Sequence, residues 1–148
     1  MAKRLIEESY YSFHDQAAAL SHPLRMDVSE TLPGVSADLE RISLVFSNFL
    51  SNALKYSYRN TEIVLTARKL NSEFVRFSVI NSGPGVGEEE QAQVFDKFYR
   101  GAGQKGEGPG WGLSIARQVV QAHDGRIGVY SESEKQTEFY FDLPVVRE

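Results

Sequence analysis

The sequence contains no cysteine, and this absence excludes several classes of site. Without a thiol the chain has no disulfide, no cysteine nucleophile and no thiolate metal ligand. Its three histidines, His14, His22 and His123, are scattered and lack the spacing of a metal site. Twenty acidic residues against sixteen basic ones give a net charge of −4, which argues against a broad nucleic-acid-binding surface. Any anion site must therefore be local.

Long hydrophobic runs are also missing. No apolar stretch approaches the roughly 20 residues of a membrane-spanning helix, and the first residues lack the apolar core of a secretion signal. We therefore expect a soluble, cytoplasmic chain that makes no membrane contact. With 148 residues it has the length of a single domain, for which a small α+β fold is the default expectation.

One segment organises the rest of the chain, and its spacing predicts a helix over residues 39–56. The apolar positions recur at three- and four-residue intervals, at Leu39, Ile42, Val45, Phe46, Phe49 and Ala53. Such a stripe is typical of a helix with one buried side. Ser36 or Asp38 is expected to cap this helix, because both side chains can accept a hydrogen bond from a first-turn amide.

A polar ridge runs along the same helix. Asn48, Asn52 and Lys55 are four and three residues apart and therefore share one face. Carboxamide oxygens suit a hard cation such as Mg²⁺, and an ammonium group suits phosphate. An isolated pair of asparagines at this spacing usually lies at the solvent boundary without a ligand. The interpretation therefore depends on the rest of the chain.

The segment before this helix predicts another helix and a short strand. Helical spacing runs from Lys3 to about Leu20, with apolar positions at Leu5, Ile6, Tyr10, Phe13, Ala17 and Leu20. No capping residue precedes it, so residues 1–22 are expected to be the end of an upstream helix or a linker. Pro23 ends the helix. A short strand is predicted over residues 24–28.

Alternating apolar residues predict four further strands. Residues 62–70 and 74–80 form an antiparallel pair around a turn at 71–72. Residues 126–130 and 138–143 form a closing pair around a polar turn at 131–136.

Two glycine-rich segments interrupt this pattern. The first, residues 81–87, allows a close approach of the backbone to a ligand. A short acidic helix is predicted over 88–98, and residues 100–112 form the second glycine-rich segment. This segment leads into a helix over 113–123, whose predicted apolar positions are Leu113, Ile115, Ala116, Val119 and Val120. Glycines and unpaired amides at the start of a helix suit phosphate.

Taken together, these segments resemble the ATP-binding catalytic domain of bacterial sensor histidine kinases, which shares a superfamily with the gyrase, mismatch-repair and heat-shock chaperone ATPases. Five ordered elements over residues 26–144 carry the resemblance: an asparagine box at 48–56, a first glycine box at 81–86, a phenylalanine box at 95–100, a second glycine box at 108–113, and closing strands at 123–127 and 137–144. The implied fold is a two-layer α/β sandwich of the Bergerat type. It has a mixed, mostly antiparallel sheet of about five strands packed on three helices. Residues 23–148 would be the catalytic domain.

The resemblance implies a site for ATP and Mg²⁺, with Asn52 as the side-chain ligand to the metal. The residues expected to contact the nucleotide are Asn48, Asn52, Lys55, Tyr56, Asn81, Gly83, Gly85, Val86, Phe98, Arg100, Gly108, Gly110, Trp111, Gly112, Leu113 and Thr137. Asn48 and Lys55 would lie toward the phosphates, while Tyr56 and Thr137 would lie near the base. Residues 100–110 would form a mobile lid.

A kinase of this type transfers the γ-phosphoryl group of ATP to a histidine, which would lie outside this chain. His22 resembles the acceptor by its neighbours, but only 25 residues separate it from Asn48, too few for the two long helices that normally carry the acceptor. We therefore predict that His22 is a loop or helix-end residue. The implied partners are an upstream dimerisation and phosphoacceptor domain and a response regulator, with a dimer in the full-length protein.

Some positions depart from the family. Asn81 stands where the first glycine box most often has aspartate, and an uncharged acceptor predicts weaker ATP binding. Trp111 and Pro109 alter the second glycine box. The alternative is therefore a degenerate nucleotide-binding module that acts as a protein-interaction scaffold. A hydrolytic ATPase is disfavoured, because no glutamate base precedes Asn52 on the central helix.

Overall fold

The computed structural model describes residues 2–87, 91, 93–95, 113–132 and 136–146. The helices and strands of these residues are α1 (Ala2–Ala19), β1 (Leu24–Val28), α2 (Leu39–Tyr56), β2 (Ile63–Lys69), β3 (Phe74–Asn81), α3 (Leu113–Ala122), β4 (Arg126–Glu132) and β5 (Gln136–Pro144). Most of the predicted acidic helix over 88–98 lies outside the described residues, which include only 91 and 93–95 of it, and residues 100–112 of the second glycine-rich segment lie outside them entirely. No helix of the described part is both long and apolar enough to cross a bilayer.

The five strands form one mixed sheet in the order β1-β2-β3-β5-β4. β1 and β2 pair in parallel, and the other three pairs are antiparallel. Because parallel neighbours need a crossover connection, α2 lies between β1 and β2 along the chain. The predicted mixed, mostly antiparallel sheet of five strands is confirmed.

The helices share one face of the sheet. α1 contacts β1 and β2, α2 contacts β3 at the centre, and α3 contacts β4 and β5. Aromatic rings fill the space between the layers: the rings of Phe77 and Phe141 stack with centroids 5.0 Å apart, and Phe46 meets Phe141 edge-on at 5.1 Å. The predicted two-layer sandwich is therefore confirmed. α1 adds Leu5 and Ile6 to the same core, both fully buried; the division at residue 22 stays a prediction.

Several local predictions are confirmed and several need correction. α2 has the predicted bounds, and its cap is Asp38, whose Oδ1 accepts a hydrogen bond from the N–H of Arg41 at 3.3 Å. Two of the apolar positions named for the predicted helices are exposed: Leu20, at 53%, follows the end of α1, and Ile115, at 57%, lies on the solvent side of α3. His22 follows α1 as predicted and is buried, with Nδ1 donating to the carbonyl of Thr61 at 2.9 Å.

The closing strands are longer than predicted. β4 reaches Glu132 and β5 begins at Gln136, so three of the six residues of the predicted polar turn belong to the ladder. Ser131 pairs with Thr137, and Glu132 pairs with Gln136. The prediction was wrong because polar side chains at the end of a hairpin do not reveal how far the backbone pairing continues.

The face of the sheet away from the helices carries a buried ion pair. Arg76 on β3 donates to both carboxylate oxygens of Asp142 on β5, at 2.8 and 3.1 Å, and Asp142 is only 1% exposed. This hydrogen bond raises the pKa of Arg76 above its ordinary value, against the opposing effect of burial. Arg126 approaches the same carboxylate at 3.7 Å but is 58% exposed. The sheet therefore holds its buried charge in a defined pair.

Candidate functional site

A small pocket opens where the C-terminal half of α2 meets the end of β3 and the start of β5. Its cavity volume is about 10 Å³, and its described lining residues are Asn52, Tyr56, Asn81, Gly85, Val86, Thr137 and Phe139. Pockets that hold whole drug-sized ligands measure about 300–1,000 Å³. The space between the described residues is therefore too small for a nucleotide, and these residues supply only part of the wall of such a site.

The polar ridge of α2 borders this pocket. Asn52 is 7% exposed and lines the wall, whereas Lys55 is exposed to solvent. The ammonium nitrogen of Lys55 lies 5.3 Å from the ring centroid of Tyr56, which is itself part of the wall. The half-buried Asn48 lies one turn before Asn52. The ridge thus runs from the pocket to the solvent.

The first glycine box packs against the C-terminal end of α2. Nδ2 of Asn81 donates to the hydroxyl oxygen of Ser57 at 2.9 Å, and this hydroxyl donates to the carbonyl of Ala53. A Cβ atom on Gly83 would lie 2.7 Å from the carbonyl oxygen of Tyr56. Only glycine allows this close approach of the two segments.

The other side of the pocket depends on the hairpin of β4 and β5. Gly85 has a φ of +82°, and a Cβ atom there would collide with the hydroxyl of Ser131. The N–H of Val86 donates to this same hydroxyl at 3.0 Å, and Ser131 also bonds to Thr137 at 3.1 Å. Ser131 therefore joins the first glycine box to the closing strands.

Of the sixteen predicted nucleotide contacts, six line one pocket: Asn52, Tyr56, Asn81, Gly85, Val86 and Thr137. Asn48, Lys55 and Gly83 are not among its described lining residues; Lys55 and Gly83 lie beside Tyr56, and Asn48 lies one helical turn before Asn52. The side chain of Leu113 is buried in the core at the start of α3, so only its backbone could face a ligand. The remaining six lie outside the described residues: Phe98, Arg100, Gly108, Gly110, Trp111 and Gly112. Their roles stay predictions.

Three residues around the pocket were not found from the sequence: Ser57, Ser131 and Phe139. Ser57 and Ser131 act through hydrogen bonds to the glycine box, and Phe139 closes the pocket from β5. Ser57 directly follows the asparagine box, which is a signal that could have identified it. The role of Ser131 depends on the register of β4 against β5, for which the sequence gives no local sign.

Comparison with known proteins gives a consistent result. The model of the family described as "Histidine kinase-, DNA gyrase B-, and HSP90-like ATPase" matches residues 37–147. The adaptive-response sensory kinase SasA of Crocosphaera subtropica is 38% identical over 145 residues, which are 97% of this chain. The chain spans only 38% of the length of that relative.

Solved structures agree. The catalytic domain of histidine kinase ThkA superposes with a TM-score of 0.84 at 29% identity, covering 98% of this chain and 95% of that one. ThkA in complex with the response regulator protein TrrA gives a TM-score of 0.79 at 29% identity, over 97% of this chain and 40% of that one. Full-length ShkA in complex with AMPPNP gives 0.83 at 30% identity, over 97% and 30% of the two chains.

Proposed function

The chain belongs to the family of histidine kinase-, DNA gyrase B- and HSP90-like ATPases, and from this premise we propose that it binds Mg-ATP as the catalytic part of a two-component sensor histidine kinase. The observation that carries the proposal is the pocket. It brings Asn52 of α2, Asn81 and Gly85 of the first glycine box, and Thr137 of β5 into one wall. These residues come from three motifs that are far apart in the sequence.

The inner part of the pocket suits the base. Tyr56 and Phe139 offer aromatic surface, and Asn81 and Thr137 offer hydrogen-bonding groups at the same wall. ShkA, at 30% identity, has been solved with AMPPNP. We infer that adenine occupies this part of the pocket.

The outer part suits the phosphates. Asn48 and Lys55 would face them from α2, and the backbone N–H groups at the start of α3, at Leu113, would meet them from the other side. The second glycine box, from Gly108 to Gly112, is part of this proposal on the resemblance alone, as are Phe98 and Arg100.

Asn52 fits the role of a magnesium ligand. Asn52 is only 7% exposed and lines the pocket, and a carboxamide oxygen is a hard ligand of the kind that Mg²⁺ accepts. When bound, the metal would offset negative charge on the phosphates. The chain's own contribution is to hold the nucleotide in place and to add the positive charge of Lys55.

The proposed reaction ends on a histidine of another domain. The bond between the γ-phosphorus and the bridging oxygen breaks, a bond from phosphorus to an imidazole nitrogen forms, and ADP leaves. The histidine would belong to an upstream dimerisation and phosphoacceptor domain, so the full-length protein would act as a dimer. A response regulator would then receive the phosphoryl group, since ThkA has been solved with such a partner. We expect the reaction in the cytoplasm, where ATP is available.

Calorimetric titration of the purified domain with AMPPNP, with and without Mg²⁺, tests the proposal. We expect magnesium-dependent binding, and we expect the Asn52→Ala variant to lose the effect of magnesium. Ser51→Ala is the matched control, because Ser51 is the exposed neighbour of Asn52 on the same helix. Thermal unfolding of both variants shows that they are folded.

No binding at millimolar nucleotide, where the binding free energy is only about −4 kcal/mol, would overturn the proposal. The degenerate scaffold would then be the better description. If Asn52→Ala kept the magnesium dependence of the wild type, the nucleotide site would be retained but Asn52 would be excluded as the metal ligand.

A further inference from the structure

The carboxamide of Asn81 can present either of two chemically opposite groups to the pocket. Its oxygen accepts hydrogen bonds and its NH₂ group donates them. Asn81 is only 6% exposed and is the last residue of β3, where its position is held by pairing with Thr137. The group that faces the pocket therefore decides which edge of a base the residue can bind.

Ser57 determines the orientation of this carboxamide. The hydroxyl of Ser57 has a single proton, which it donates to the carbonyl oxygen of Ala53, a group that can only accept. The Ser57 oxygen thus offers only lone pairs to its other neighbour. The Asn81 atom 2.9 Å away must accordingly be the donor, Nδ2. A reversed carboxamide would place two acceptor oxygens against each other.

The oxygen of Asn81 is the end left for a ligand. Nδ2 lies on the side of Ser57, 3.3 Å from the position that a Cβ atom of Gly83 would take. No other hydrogen bond to the Asn81 side chain occurs among the described residues, and Asn81 lines the pocket. An unmet acceptor is thereby available at the pocket wall.

We propose that Ser57 is a positioning residue that sets base selectivity: it holds Nδ2 of Asn81, so that Oδ1 accepts a hydrogen bond from a base with an exocyclic amine and rejects a base with an oxo group. This inference rests on the proposed function. An oxo group opposite Oδ1 would pair two acceptors and leave both unsatisfied in a buried site. Adenine carries the amine at this edge, whereas hypoxanthine and guanine carry the oxygen.

The test is the ratio of affinities for ATP and ITP, measured by calorimetry on the domain with Mg²⁺. These nucleotides differ in the amine and the oxo group, and in the protonation of the adjoining ring nitrogen. We expect the wild type to favour ATP by about tenfold or more. Ser57→Ala frees the carboxamide to reverse, so the ratio should fall toward one, mainly through tighter ITP binding. Ser57→Thr, which keeps the hydroxyl, should restore the preference.

Two controls separate this effect from a general disturbance. Thr61→Ala removes a similar local bond, from a hydroxyl to the carbonyl of Tyr58 at 2.6 Å, without touching Asn81, and should leave the ratio unchanged. Asn81→Asp replaces the carboxamide by a group with two acceptor oxygens. In that background Ser57→Ala should have no effect on the ratio, because no donor end exists to be turned toward the pocket.

The outcomes are distinguishable. If the domain binds ATP and Ser57→Ala leaves the ratio of ATP to ITP affinity at its wild-type value, the inference is overturned and the proposed function is retained. Equal loss of selectivity in Thr61→Ala would also overturn it, since the effect would not depend on Asn81. Absence of all nucleotide binding by the wild type would overturn the proposed function and the inference together.

Discussion

Nε2 of His123 accepts a hydrogen bond from the backbone N–H of Asp38 at 3.0 Å. Nδ1 of the same ring donates to the carbonyl of Val119 at 2.8 Å. His123 follows the end of α3 and Asp38 caps the start of α2, so one imidazole joins the two helices. The glycine two residues later supports this position, because a Cβ atom on Gly125 would collide with the carbonyl of Asp142.

Replacing His123 should therefore destabilise the domain. We expect His123→Ala to lower the free energy of unfolding by about 0.5–1.5 kcal/mol, measured by urea unfolding. His123→Gln should recover part of this loss, because its side-chain oxygen can reach the position of Nε2. The control is His14→Ala on exposed α1 surface. Equal losses in the two alanine variants would show that the bond to Asp38 contributes nothing.

The buried ion pair gives a larger effect. Arg76→Met should lower the free energy of unfolding by about 3 kcal/mol. The reason is that it leaves the buried carboxylate of Asp142 with only the more exposed Arg126, at 3.7 Å, as a charged partner among the described residues. Arg126→Met is the control and should cost less than about 1 kcal/mol, since this guanidinium is mostly exposed. Chemical unfolding of both variants measures the difference. Equal effects would show that the two arginines contribute alike to Asp142.

The pH dependence of the Arg76 contribution follows from the sign of its pKa shift. The pKa of Arg76 is raised by its hydrogen bond to Asp142, so folding favours the charged guanidinium. A group with a raised folded-state pKa contributes its full stability below its unfolded-state pKa and loses it only above. The loss in Arg76→Met should accordingly be equal at pH 6 and pH 9. If the stability lost in Arg76→Met became smaller between pH 6 and pH 9, this account would be contradicted.

Glycine is required at residue 85 but not at residue 87. Gly85→Ala places a side chain at a positive φ and against the hydroxyl of Ser131, so we expect a loss of about 1–3 kcal/mol and weaker nucleotide binding. Gly87→Ala has no neighbour within 4 Å of its added Cβ and should be close to neutral. Thermal unfolding and calorimetry of the pair check this. A neutral Gly85→Ala would mean that the loop can rearrange.

Lys55 should matter for phosphate and not for the base. Lys55→Gln removes a positive charge at the mouth of the pocket, so we expect about a threefold to tenfold loss of ATP affinity at low salt and little change for adenosine. Lys69→Gln, at the exposed end of β2, is the charge-matched control. Titration with both ligands at two salt concentrations provides the measurement. An equal loss for adenosine would assign Lys55 to the base instead.

The parts of the fold that were predictable are those encoded locally. The bounds of α2 follow from its apolar stripe and from the cap at Asp38. Leu20 and Ile115 share the apolar spacing of their helices but are exposed, because helical spacing defines a stripe and not its width, and both lie at its margin or beyond the helix end.

The pocket was predictable only as a set of motifs. Its asparagine and glycine residues stand out by type and spacing, whereas Ser57 and Ser131 are common residues whose role arises from a hydrogen bond across the fold. Such bonds depend on how β3 and β4 are placed, and that placement is set by the packing of the whole sheet.

The pocket has one further consequence, because its wall is assembled from residues between Asn52 and Phe139 on three separate elements. An unfolded chain cannot hold these residues together, so a nucleotide that binds only the folded state shifts the folding equilibrium by mass action. At one hundred times its dissociation constant it adds about 2.7 kcal/mol to the free energy of unfolding. For a chain of this length that corresponds to a rise in melting temperature of about 5–10 °C. A melting curve can therefore rank nucleotides, and variants of Ser57, without any acceptor histidine being present.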